Sequence, residues 1–167
     1  MGGLLMKKIS ILIILVLVVG GWFIYDHLQP NRPQQASNMQ AQWGPSFWNL
    51  SPNARLMART ISAEARGEPY IGQVAVGAVI MNRVDDARFP NTLAGVIYQP
   101  WAFTAVAYGQ IWNHTPNSTT VEATLDAMSG WDPSYGSVFY YNPVKVTSNW
   151  IFSRPTVRTI GRHVFAR

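Results

Sequence analysis

The stretch Ala58–Arg83, ARTISAEARGEPYIGQVAVGAVIMNR, reads as two helices of different character meeting at Gly67-Glu68-Pro69. Just upstream, Ser51-Pro52 is a helix start, with serine as N-cap and proline at the first helical position. The first helix is therefore expected to run from there to Arg66, with Gly67 ending it. Gly72 to Arg83 is apolar on nearly all sides, the pattern of a central buried helix. Glu64 interrupts this scheme. It falls on the same side of the first helix as Met57 and Ile61, so a carboxylate faces the core near a helix end. Partial burial penalises the charged form, raises the pKa and suits a general acid working near neutral pH. The competing reading is a structural salt bridge to Arg59, Arg66 or Arg83. Glu68 follows closely enough for the two carboxylates to raise one another's pKa, though a solvated loop residue is the plainer reading.

Beyond this pair, Thr92 to Tyr98 suggests a short helix ended by Pro100. Thr119-x-x-Glu122 has the form of a capping box for a helix reaching Ser129, with Gly130 behind it. The pattern then changes. Ser137 to Tyr141 and Trp150 to Phe152 read as short strands, and Thr156 to Phe165 as a hairpin about Gly161. Helices first and short antiparallel strands last make an α+β domain. Ahead of it, Ile9 to Tyr25 is almost wholly apolar and follows Lys7-Lys8, with Trp22 and Tyr25 where an interfacial belt would lie. The expected organisation is a signal-anchor or signal peptide over residues 1–28, a Pro/Gln-rich linker over 29–46 and a globular domain over 47–167. The domain would then be membrane-anchored or secreted and act outside the cytoplasmic membrane.

Composition narrows the chemistry. A chain of 167 residues holds one domain and an appendage. The absence of cysteine removes disulfides, a thiol nucleophile and thiolate metal sites. The histidines are His27, His114 and His163, and the first lies beside the membrane segment, so no metal or other cofactor is expected. The net charge is +5, and from Lys145 onward Arg154, Arg158, Arg162 and Arg167 add basic charge with no acid among them. Such a surface suits nucleic acid, anionic lipid or acidic wall polymer, and charge alone does not choose. Trp101, Phe103, Tyr108, Trp112, Trp131, Tyr140, Tyr141 and Trp150 gather around loops and strand ends, where they fill the core or stack on sugar rings. No nucleophile elbow, phosphate loop, HExxH pair or dinucleotide fingerprint occurs.

The stretch Ala58–Arg83 resembles the opening of the spore cortex-lytic enzymes, the cell-wall hydrolases often called the SleB family. The resemblance continues through Val96–Trp112 (VIYQPWAFTAVAYGQIW), Gly130-Trp131-Asp132-Pro133 and Tyr141-Asn142-Pro143. It ends with Trp150–Pro155 (WIFSRP) and Ile160–Phe165 (IGRHVF), so it covers the whole globular region. It implies a small lysozyme-related catalytic domain that cuts peptidoglycan between N-acetylmuramic acid and N-acetylglucosamine, as lytic transglycosylases do, in spore cortex lysis or related wall remodelling. It makes Glu64 the single acid/base and sets Phe103, Thr104, Tyr141 and Asn142 beside it. Thr104 and Tyr141 hydroxyls would position the sugar, Phe103 would form an apolar wall, and Glu68 would tune Glu64 or touch substrate. A retaining or inverting hydrolase needs a second carboxylate; a transglycosylase does not, which suits this chain's acids. The implied partners are peptidoglycan, the membrane through the N-terminal segment and a regulatory protein that the sequence does not identify; nucleic acid is not among them. A peptidoglycan amidase or peptidase, and a non-catalytic wall-binding protein, are the alternatives. The chain departs from the family pattern at Trp101, where glycine is common, at Tyr108, where an acid is common, and at Ala166, where cysteine is common.

Overall fold

Ser51 starts the first helix as its side chain dictates. Its backbone is extended, its hydroxyl accepts from the Ala54 N–H at 3.3 Å, and Pro52 needs no donor at the first position. This helix, α1 (Pro52–Glu64), ends before Arg66, because Ala65 leaves helical backbone and Gly67 turns the chain at φ +78°. Glu64 is thereby the last helical residue. The computed structural model describes residues 45–167, so the expected membrane segment and the linker as far as Gly44 lie outside the described residues.

Helix α2 (Tyr70–Asp85) is the central element. From Gly72 to Ile80 every residue is buried, and Met57 and Ile61 of α1 pack with Val74, Val76, Val79 and Ile80 in one core. Gly77 lets the neighbours close in: a Cβ there would lie 2.8 Å from the Ala127 Cβ and 2.9 Å from the Ile61 Cδ1. Gln73, the polar residue inside this run, accepts from the Thr120 hydroxyl at 2.7 Å and donates to the Glu68 carbonyl at 3.3 Å. A short helix α3 (Leu93–Ile97) lies within the expected Thr92–Tyr98 stretch and is capped by Thr92. The even shorter α4 (Thr104–Ala107) carries no sequence signal of its own. Helix α5 (Ser118–Met128) packs across α1 and α2. Its cap is Asn117, whose Oδ1 accepts from the Thr120 N–H at 2.9 Å, and not Thr119; the capping box is displaced because an equally good cap stands two residues earlier.

The C-terminal part is a three-stranded antiparallel sheet, β1 (Phe139–Tyr141), β2 (Thr156–Ile160) and β3 (His163–Ala166), ordered β1-β3-β2. The expected hairpin is present, turning at Gly161 with φ +57° and bulged between Thr156 and Arg158. Register pairs Tyr140 with Phe165 and Ile160 with His163. Trp150 to Phe152 is a 3₁₀ turn (Asn149–Ser153) rather than a strand. Its rings are satisfied edge-on by β1, Trp150 against Phe139 at 5.4 Å and Phe152 against Tyr141 at 5.4 Å, so the apolar alternation serves aromatic packing instead of a ladder. The late arginines are tied down at the surface: Arg158 donates to the Pro133 carbonyl, Arg167 to that of Tyr135, and Arg162 to Glu68.

Candidate functional site

The end of α1, the first turn of α4, β1 and the β2–β3 turn surround a cavity of about 600 Å³. Glu64, Glu68, Arg83, Thr104, Tyr140, Tyr141, Asn142 and His163 all contribute to its lining. Glu64 projects into it from the last position of α1. Each carboxylate oxygen has one donor: the Ala105 N–H reaches Oε1 at 2.8 Å, and the Tyr140 hydroxyl reaches Oε2 at 3.1 Å. Burial nevertheless dominates and raises the Glu64 pKa, against the smaller opposing effects of these donors and of the Arg83 charge. The expected alternative, a salt bridge to arginine, does not form. The ion pairs among the described residues are Arg88–Asp86 and Arg162–Glu68. Arg83 donates its Nε to the Val138 carbonyl at 2.7 Å and lies over the Phe103 ring, acting on Glu64 only through its field.

Glu68 has the opposite environment. It is a buried side chain and not a solvated loop residue. Burial alone would raise its pKa, but the Arg162 N–H at 2.9 Å and the Arg162 Nε at 2.6 Å meet its two oxygens and carry it below the usual glutamate value. The two glutamates therefore do not raise one another; they are separated by their partners.

The remaining expected site residues divide. Thr104 is exposed at the cavity rim, and Tyr141 and Asn142 line it from the end of β1. The Asn142 Oδ1 accepts from the Val144 N–H at 3.0 Å, which shapes the following turn. Phe103 is only 2% exposed and lies beneath the cavity under Arg83, so it supports the floor instead of forming a wall. Two candidates were missed. Tyr140 alternates with Phe139 and Tyr141 along β1, so its ring turns inward to His163 and Phe165 and its hydroxyl meets Glu64. Strand alternation was the available signal. The Tyr140 phenol is half-buried and its pKa lies far above the ordinary value, through burial and then the Glu64 charge, so it remains a donor. His163 has a buried Nδ1 with no partner at the cavity edge, and burial lowers its pKa, favouring the neutral ring. Among the described residues no three His, Cys, Asp or Glu side chains gather as a metal site. With one carboxyl kept protonatable and the other neutralised by arginine, the arrangement can deliver and retrieve a single proton.

The Cell Wall Hydrolase family model matches residues 67–166, beginning just after Glu64. A spore cortex-lytic enzyme of Bacillus cereus is 50% identical over 139 residues, covering 83% of this chain and 52% of that protein. One from Oceanobacillus iheyensis is 56% identical over 113 residues, covering 68% of this chain and 41% of its own. The chain thus spans about half the length of the curated relatives it matches. The solved structure of the catalytic domain of the germination-specific lytic transglycosylase SleB from Bacillus anthracis superposes with a TM-score of 0.66 at 53% identity, covering 71% of this chain and 98% of that one.

Opposite environments give opposite stability effects. An acid whose folded pKa is raised opposes folding once ionised, so Glu64→Gln should leave the melting temperature at pH 7 unchanged or higher. Glu68, held below its usual value, stabilises the fold above that value and loses its effect as pH falls through the depressed pKa. Glu68→Gln should lose about 1–3 kcal/mol at pH 7, with the deficit shrinking in acid. Thermal unfolding of both variants across pH checks this; equal losses would contradict it.

Proposed function

Because this chain belongs to the cell wall hydrolase family, we propose that it cleaves peptidoglycan glycan strands between N-acetylmuramic acid and N-acetylglucosamine as a lytic transglycosylase with Glu64 as its only acid/base. The observation that carries the reading is the pairing of a half-buried, protonatable Glu64 with a Glu68 already neutralised by Arg162 in the same cavity. Protonated Glu64 gives its proton to the glycosidic oxygen as the bond from that oxygen to C1 of the muramic sugar breaks. The resulting carboxylate takes the proton of the same sugar's C6 hydroxyl, whose oxygen closes on C1 to leave a 1,6-anhydro end. Glu64 ends protonated, so the cycle balances without an added water or second carboxylate. Tyr140 and the Ala105 N–H hold the carboxylate in place between the two transfers. Thr104, Tyr141 and Asn142 border the cavity where the sugar's N-acetyl and hydroxyl groups would lie. The names of the relatives support the spore cortex during germination as the setting.

We extend the reading to the whole chain: residues 1–28 hold it at the membrane, 29–46 link, and 47–167 act on the wall outside. Full-length protein should then stay with membranes after carbonate washing; a soluble form beginning near Trp22 would show cleavage instead.

Mass spectrometry of digested peptidoglycan tests the chemistry. Anhydro-muropeptides are expected; new reducing ends would indicate hydrolysis, and free stem peptides an amidase or peptidase. Glu64→Gln should lose at least ~10²-fold in cleavage rate, the scale of general acid–base assistance, and Glu68→Gln less. Activity should fall on the alkaline side with a midpoint above 4.5, the ordinary glutamate value, because the acid form is required and burial raises the pKa. Tyr140→Phe removes a donor to the carboxylate, so it should move that midpoint further up.

A further inference from the structure

Away from Glu64, the N-terminal half of α1 borders a second hollow of about 400 Å³. Phe47, Trp48, Tyr98 and Trp112 line it together with Arg55 and Arg59. Trp48 is 65% exposed and Trp112 60%, and large rings left to water in one place mark a surface that is covered in use. The hollow is pre-formed. The Arg59 guanidinium lies 5.0 Å from the Phe47 ring centre and 5.1 Å from that of Trp112, and it donates to the Ile111 and His114 carbonyls at 3.3 Å. Among the described residues no carboxylate lines it, and Arg55 and Arg59 make it positive.

This hollow and the Glu64 cavity share their framework. Arg55 to Glu64 spans roughly 13 Å along α1 at the helical rise. In the 3₁₀ turn Gln110–Trp112, Gln110 lines the Glu64 cavity and Trp112 the second hollow. Tyr98 lines the second hollow, and Ala102 and Thr104, a few residues on, line the first. Trp101 sits in the turn between them at φ +64°, a left-handed conformation that strains a side-chain-bearing residue. Burial does not offset that strain, since the indole is 81% exposed. Strain kept in order to display an unburied ring points to recognition.

We propose that Trp48, Tyr98, Trp101 and Trp112 form a second glycan-binding surface that holds the peptidoglycan strand away from the point of cleavage. Pyranose rings stack on the exposed indoles, and Arg55 meets the carboxylates that the strand's peptide stems carry. The polymer fits because it is long enough to occupy both hollows and is complementary in charge. This rests on the glycan-cleaving reading above, and its effect is a preference for long strands over short fragments.

The test is calorimetric binding of full-length protein in mild detergent, in a Glu64→Gln background so that strands stay intact. Long purified glycan strands are compared with the single disaccharide-peptide unit. Removing both Trp48 and Trp112 as alanines should weaken long-strand binding roughly tenfold or more and erase most of the preference for length. Trp101→Gly should also weaken it while leaving the melting temperature equal or higher, because glycine adopts φ +64° freely. Variants that bind long strands as tightly as their parent would overturn the proposal, leave the Glu64 reading standing and reassign the aromatics to protein docking. A parent that binds no glycan would reject both. A Trp101→Gly protein that loses stability and affinity together would show that Trp101 is structural and remove it from the surface.

Discussion

The carboxylate of Glu68 gripping Arg162 is the contact on which the site's geometry depends. One oxygen takes the Arg162 N–H and the other its Nε, so the corner between α1 and α2 is fastened to the turn between β2 and β3. Gly161 makes this possible. A Cβ at that position would collide with the Glu68 carboxylate, and its φ of +57° is one that glycine adopts freely. With that turn fixed, β3 holds β1 in a register that pairs Phe165 with Tyr140, and Tyr140 then reaches Glu64. A contact between residues far apart in sequence thus sets the position of a hydroxyl at the Glu64 carboxylate.

The same contact separates the chemistry of two nearby glutamates. Glu68 has a full positive partner and stays ionised; Glu64 has two hydrogen-bond donors and only the field of Arg83, which burial outweighs. Arg83 acts at a distance because its guanidinium is tied to the Val138 carbonyl and packed among the rings of Phe89, Phe103 and Phe139. Had it paired directly with Glu64, the carboxyl would titrate low and be a poor acid. Keeping the cation near but engaged elsewhere leaves Glu64 protonatable while still easing its ionised form.

Local signals were legible where one residue decides one feature. Ser51-Pro52 began α1, the unbroken apolar run announced α2, the Thr92–Tyr98 stretch located α3, and Gly161 turned the hairpin. Glu64 could be singled out because helical periodicity puts an acid on an apolar side. What stayed hidden was set by tertiary contacts. The Thr119-x-x-Glu122 pattern pointed to Thr119, whereas the cap that forms is Asn117, two residues earlier. The Trp150–Phe152 alternation resembles a strand until the rings of β1 supply its partners. The partner of Glu68 lies 94 residues away, and no spacing rule reaches that far. Tyr140 was overlooked in favour of Tyr141 because both sit in the same aromatic run, and only the face of β1 that meets α1 tells them apart.

The most direct test of this account is carboxyl-carbon NMR titration of Glu64 and Glu68 in the same sample of the substrate-free protein. Glu64 should titrate above 4.5 and Glu68 below it, because burial dominates the first and Arg162 the second. Arg162→Ala should move the Glu68 midpoint upward. Two midpoints together near 4.5, or Glu68 titrating above Glu64, would contradict the division of roles on which the single-glutamate mechanism rests.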